Sequence, residues 1–64
     1  MPSLSPEELD EKLTNLDDDI FDIVVLILGV PKSLEKIDKI EFINNNYRAV
    51  RIENAIQHAL KIKP

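Results

Sequence analysis

One apolar segment constrains this chain more than any other feature of its sequence. Residues 20–28 read Ile-Phe-Asp-Ile-Val-Val-Leu-Ile-Leu, and Asp22 is the one polar interruption. A nearly continuous apolar run fits either a buried strand or a buried helix, and its β-branched residues favour a strand. Because a chain of 64 residues has room for a single core, this segment is expected at its centre.

The residues on either side of the segment favour a helix. Residues 17–19 are all aspartate, and acidic side chains stabilise the positive end of a helix dipole. Gly29 directly follows the segment, and glycine commonly ends a helix in the left-handed conformation. Pro31 comes two residues later and cannot continue a helix. A lone strand would also lack a partner strand elsewhere in the chain. We therefore predict a central helix over 18–28, and we expect any exposed part of its apolar surface to form a binding face.

A first helix is predicted over 6–15 from its capping residues. Ser5 is a suitable N-cap, Pro6 fits the first helical position, and Glu8 completes a capping box. The apolar side chains then recur at helical spacing and form one narrow stripe. The stripe consists of Leu9, Leu13 and Leu16.

A third, shorter helix is expected to start at Ser33 as its cap. Leu34, Ile37 and Ile40 are spaced for one face of that helix. Residues 41–43 fit either its continuation or an extended turn, and the sequence leaves both open.

Three asparagines at 44–46 predict a break before the last helix, because asparagine tolerates left-handed backbone and caps helices. A fourth helix is predicted over 47–62 from an apolar stripe of period 3.6. That stripe consists of Ala49, Ile52, Ala55, Ile56, Ala59 and Leu60. The predicted fold is all-α, a compact bundle of about four helices in a single domain over 1–64.

Composition argues against catalysis and bound cofactors. The absence of cysteine excludes a disulfide scaffold and a thiolate zinc site, and one glycine excludes a glycine-rich phosphate loop. The aspartates at 17–19 with Asp22 lack the ligand spacing of a calcium loop, so we interpret them as helix-terminal acids. His58 has no acidic or nucleophilic partner at helical spacing on its helix. We expect no enzymatic activity, no metal and no cofactor.

Charge is divided unevenly along the chain. The net charge is −4, but residues 1–31 hold eight acids against one lysine, and residues 32–64 hold seven bases against four acids. This division fits ordinary solvated faces, and it also fits two opposed patches that bind other copies or like domains head to tail. The predicted acidic patch is Glu7, Glu11, Asp17, Asp18 and Asp22, and the predicted basic patch is Lys36, Lys39, Arg48 and Arg51. Phe42 or Tyr47 is expected to add an apolar anchor.

Two other functions fit the composition. Arg48, Arg51, Asn54 and Gln57 resemble a recognition helix in residue type, although a pI near 4.7 argues against nucleic-acid binding. A small acidic inhibitor of an enzyme is the third class. The opening residues lack the pattern of a signal peptide, and the apolar run is too short to span a membrane, so we expect a cytoplasmic protein without membrane contact.

The order of these features resembles the opening of bacterial effector-associated domains. The residues that carry the resemblance are Leu4-Ser5-Pro6-Glu7-Glu8-Leu9, Leu13-Thr14-Asn15-Leu16, the run from Asp19 to Pro31, and Asn46-Tyr47-Arg48-Ala49-Val50-Arg51-Ile52. The resemblance implies a small all-helical, death-like module attached to a protease, a TIR-type enzyme or an NTPase in a conflict system. It further implies a role as an adaptor that pairs with a like module. The chain has four predicted helices where a death fold has six.

Overall fold

Four α-helices make up the chain in the computed structural model, which describes residues 5–63. They are α1 (Pro6–Asn15), α2 (Asp18–Leu28), α3 (Lys36–Asn46) and α4 (Ala49–Ile62). The prediction of an all-helical bundle is confirmed, and residues 5–63 contain no strand. The most extensive helix contact joins α2 to α4, while α1 packs against α3 and α4.

The capping box of α1 forms as predicted. The Ser5 hydroxyl accepts a hydrogen bond from the backbone N–H of Glu8 (3.3 Å), and the Glu8 carboxylate accepts one from the N–H of Ser5 (3.1 Å). These two bonds satisfy donors that a helix start would otherwise leave free. Leu9 and Leu13 are buried and Leu16 is partly buried, so the predicted stripe faces the core.

The helix predicted for the central segment is confirmed at both ends. Gly29 ends α2 in the left-handed conformation (φ 79°, ψ 33°), and the N–H groups of Gly29 and Val30 both donate to the carbonyl of Val25. This arrangement satisfies the carbonyl of Val25 in the last turn of α2. The side of α2 that faces the core is apolar throughout. It consists of Ile20, Phe21, Val24, Val25 and Leu28.

The predicted start of the third helix is wrong. Ser33 does not cap α3, which begins at Lys36 with Glu35 in the N-cap position. Leu34 therefore lies before the helix and is partly buried rather than part of its apolar face. The helix has 11 residues, the same length as α2, so it is not the short element that the sequence predicted.

The asparagines predicted to break the chain instead form the last turn of α3. The amide of Asn46 donates to the carbonyl of Phe42 (2.8 Å), and the amide of Asn44 donates to the carboxylate of Asp10 on α1. These bonds satisfy the polar groups of asparagine inside a helix. The break falls at Tyr47, whose backbone is extended (φ −130°, ψ 149°), so α4 begins two residues later than predicted.

Two side chains that were predicted on buried faces are exposed. Ile37 on α3 is 73% exposed, because Ile40 and Ile43 set the buried side of that helix. Leu60 on α4 is 41% exposed. The rest of the α4 stripe faces the core as predicted. Tyr47, which lies between α3 and α4, donates a hydrogen bond from its hydroxyl to the carbonyl of Leu28.

Replacement of Gly29 tests the left-handed end of α2. We expect Gly29→Ala to lower the free energy of unfolding by about 1 kcal/mol, because a Cβ disfavours positive φ. An added Cβ would meet no heavy atom within 4 Å, so the loss would come from backbone conformation and not from a clash. Urea unfolding measures the change. Gly29→Asn should lose less unfolding free energy than Gly29→Ala. Equal stability of the alanine variant and the wild type would contradict the left-handed conformation of Gly29.

Candidate protein-interaction site

The outward side of α2 carries an exposed apolar stripe next to two acids. Asp19, Asp22, Ile23 and Leu26 follow one another at helical spacing, opposite the buried side. Leu26 is 65% exposed and Ile23 is partly buried. Ile27, at the border towards α4, is 37% exposed. Part of the apolar surface of α2 is therefore exposed, and this part is the candidate binding face.

A groove of about 430 Å³ lies beside this stripe, between α2 and the residues that follow it. Ile23, Val25 and Leu26 supply its apolar walls, while Lys39 of α3 and Lys32 of the connecting loop supply positive charge. Asp22 completes the lining. We call it the lysine-rimmed groove; its residues are Asp22, Ile23, Val25, Leu26, Lys32 and Lys39.

Lys36 of the predicted basic patch binds inside its own chain. Its ammonium lies 3.5 Å from the Asp18 carboxylate and 3.4 Å from the carbonyl oxygen of Thr14. The same ammonium lies 5.2 Å from the centre of the Phe21 ring, within the range of a cation–π contact. Lys36 and Asp18 were predicted in opposite patches, and the structure brings them together, so the patches are not separated here.

Two further patch residues also share one surface. Asp22 was predicted in the acidic patch and Lys39 in the basic patch, yet both line the lysine-rimmed groove. Another aspartate of α2, Asp19, pairs with Lys63 at the end of α4 (3.3 Å). The prediction of acids and bases on separate sides is therefore wrong around α2, because helix packing places the lysines of α3 and α4 beside its acids.

The remaining acidic-patch residues are exposed on α1 and at the start of α2. Glu7 and Glu11 lie one turn apart on α1, and Asp17 occupies the N-cap position of α2 without a capping hydrogen bond from its side chain. These carboxylates lie on the surface in water.

The remaining basic-patch residues lie at the start of α4. Arg48 is the exposed N-cap residue of that helix. The guanidinium of Arg51 lies 5.7 Å from the centre of the Tyr47 ring. Arg51 also lines a shallow groove between α2 and α4 together with Ile27 and His58. No acidic residue lines that groove, so His58 has no carboxylate beside it there.

The aromatic residues predicted as partner anchors belong to the fold instead. Phe42 and Tyr47 are partly buried and pack against the core, with their ring centres 6.4 Å apart. The Tyr47 hydroxyl is bonded to the Leu28 carbonyl. Leu26 is one of six large apolar side chains that are exposed in the described residues, and it is the one that lines the lysine-rimmed groove. The helical spacing of α2 would have identified it, because it lies one turn after Asp22.

Among residues 5–63, His, Asp and Glu side chains form no group of three that is arranged to hold a metal ion. No helix in the described part of the chain is both long enough and apolar enough to cross a membrane. The buried side chains of that part are all apolar.

Comparisons with protein-family models, curated proteins and solved structures find no match to this chain. The resemblance to effector-associated domains therefore stays a prediction. The candidate site depends on the geometry of α2 and its neighbours alone.

Two leucines on α2 provide a matched test of this geometry. We expect Leu28→Ala to cost about 2–5 kcal/mol of unfolding free energy, because the side chain is 6% exposed and its removal leaves a cavity. Leu26→Ala should change stability by less than about 0.5 kcal/mol, since this leucine is largely in water. Chemical denaturation followed by circular dichroism compares them. Equal losses would show that Leu26 belongs to the core.

Proposed function

We propose that this chain is a non-catalytic protein–protein interaction module that associates with helical domains of its own kind. The observation that carries the proposal is Leu26, an exposed apolar side chain at the edge of a groove with lysines at its rim. An apolar centre surrounded by polar groups is the usual organisation of a specific protein interface. Exposed apolar patches with a polar rim also mark such sites more generally.

The charges around the groove favour an acidic partner. The two ion pairs found within residues 5–63 involve Lys36 and Lys63, which leaves Lys32 and Lys39 without an ion-pair partner in that range. A carboxylate of a partner at the rim would gain charge complementarity there, which sets orientation and association rate. Of the four predicted basic-patch residues, Lys39 best fits a partner contact.

This proposal agrees with the role implied by the resemblance to effector-associated domains. An adaptor in a bacterial conflict system would need a small helical module that binds another like it, in the cytoplasm, without chemistry of its own. The lysine-rimmed groove supports the proposed binding of a partner protein. The resemblance alone suggests that this binding takes place in a bacterial conflict system.

Binding of nucleic acid by α4 is the alternative. Its exposed face carries Arg48, Asn54 and Gln57. However, the Arg51 guanidinium packs on Tyr47, Lys63 pairs with Asp19, and the net charge is −4. Duplex binding depends on many unopposed positive charges, so the protein interface is favoured.

Photo-crosslinking distinguishes the two functions. The photoreactive residue p-benzoylphenylalanine is placed at position 26 in the groove, or at position 57 on the exposed face of α4 as the matched control. Both proteins are irradiated in the cells that produce them. We expect a protein adduct from position 26 and none from position 57, because only the first position lies in the proposed interface.

Two results would count against the proposal. A nucleic-acid adduct from position 57, with none from position 26, would favour the alternative function. The absence of any adduct from position 26 would overturn the interaction module. Mass spectrometry of the adducts identifies the attached molecule.

A further inference from the structure

We propose that the lysine-rimmed groove of one copy receives Ile37 of a second copy, so that the chain associates head to tail. This inference rests on the proposed function and specifies its partner as the chain itself. It is drawn from two surfaces that lie on opposite sides of α3, each with exposed apolar side chains, and that carry mostly opposite charge.

The first surface is an exposed isoleucine near two carboxylates. Ile37 is the most exposed of the large apolar side chains in the described part of the chain, at 73%. It lines a depression between α1 and α3 whose other residues include Pro6, Asp10 and Glu41. We call Asp10, Ile37 and Glu41 the acidic ridge.

The second surface is the lysine-rimmed groove, in which bases outnumber acids. Its apolar residues are Ile23, Val25 and Leu26, and it carries Lys32 and Lys39 against the single acid Asp22, where the ridge has Asp10 and Glu41. Insertion of Ile37 between Ile23 and Leu26 would remove apolar surface of both copies from water. Each carboxylate of the ridge would then approach a lysine of the rim.

The position of the two surfaces on α3 determines the form of the assembly. Ile37 and Lys39 are two residues apart, which is about 200° around an α-helix, so they point to opposite sides. One copy therefore cannot insert Ile37 into its own groove. A contact between two unlike surfaces leaves one ridge and one groove free, and so it extends to further copies as a ring or a filament.

The test uses one variant for each surface and one control. Ile37→Gln removes the apolar group of the ridge, and Leu26→Gln removes that of the groove. Val50→Gln is the matched control, because Val50 is 58% exposed on α4 and lines neither surface. All three positions are exposed, and circular dichroism verifies that each variant is helical.

Sedimentation velocity of the purified full chain measures the association. We expect the wild type and Val50→Gln to form species larger than a dimer as concentration rises, and more so at low salt. Each of the other variants alone should associate about tenfold more weakly or not at all. Their mixture should form a dimer and nothing larger, because only one intact ridge and one intact groove remain to pair.

Several results would overturn the inference. These are a wild type that is monomeric at every concentration, a mixture that stays monomeric while the wild type associates, and a single variant that still dimerises through two like surfaces. Photo-crosslinking at position 26 separates this failure from that of the interaction module. A protein adduct other than a second copy, with a monomeric wild type, would retain the module and remove head-to-tail association.

Discussion

Burial of the inner side of α2 is the interaction on which the rest of the structure depends. Val24 is fully buried and Phe21 and Val25 nearly so, and α4 packs along this helix through its own buried stripe. Each fully buried aliphatic or aromatic side chain contributes about 1.5–3 kcal/mol. The ordering of a chain this small opposes nearly all of that gain, so a domain without disulfide or metal needs this density of isoleucine, leucine and valine.

The same helix leaves apolar surface exposed. The core needs only one side of α2, so Ile23, Leu26 and Ile27 lie beyond its buried side. Ile23 is partly buried there, while Leu26 and Ile27 are exposed. Single exposed apolar side chains are common on protein surfaces, so the proposed partner contact depends on the groove beside Leu26 and not on the exposure of this leucine alone.

Local chemistry could predict α1 and α2 but not the bounds of α3. Ser5 and Glu8 bond within four residues of each other, and Gly29 ends α2 through its own backbone, so sequence neighbours suffice. The last turn of α3 includes a bond from Asn44 to Asp10, which is 34 residues away along the chain. The prediction of separate acidic and basic patches was wrong around α2 for the same reason, because contacts between residues far apart in sequence decide which charges lie together. Counting charges along the chain cannot reveal that packing brings Lys36 to Asp18.

Lys36 shows how packing can occupy a charge that the sequence predicts for a partner. Its ammonium joins the start of α3 to the carbonyl of Thr14 on α1 and to Asp18 on α2. The rotation of α3 about its axis is set by the burial of Ile40 and Ile43. That rotation directs Lys39 towards the groove and leaves Ile37 on the other side, in water. Since one helix presents both surfaces, its rotation would also fix the angle between successive copies in the proposed assembly.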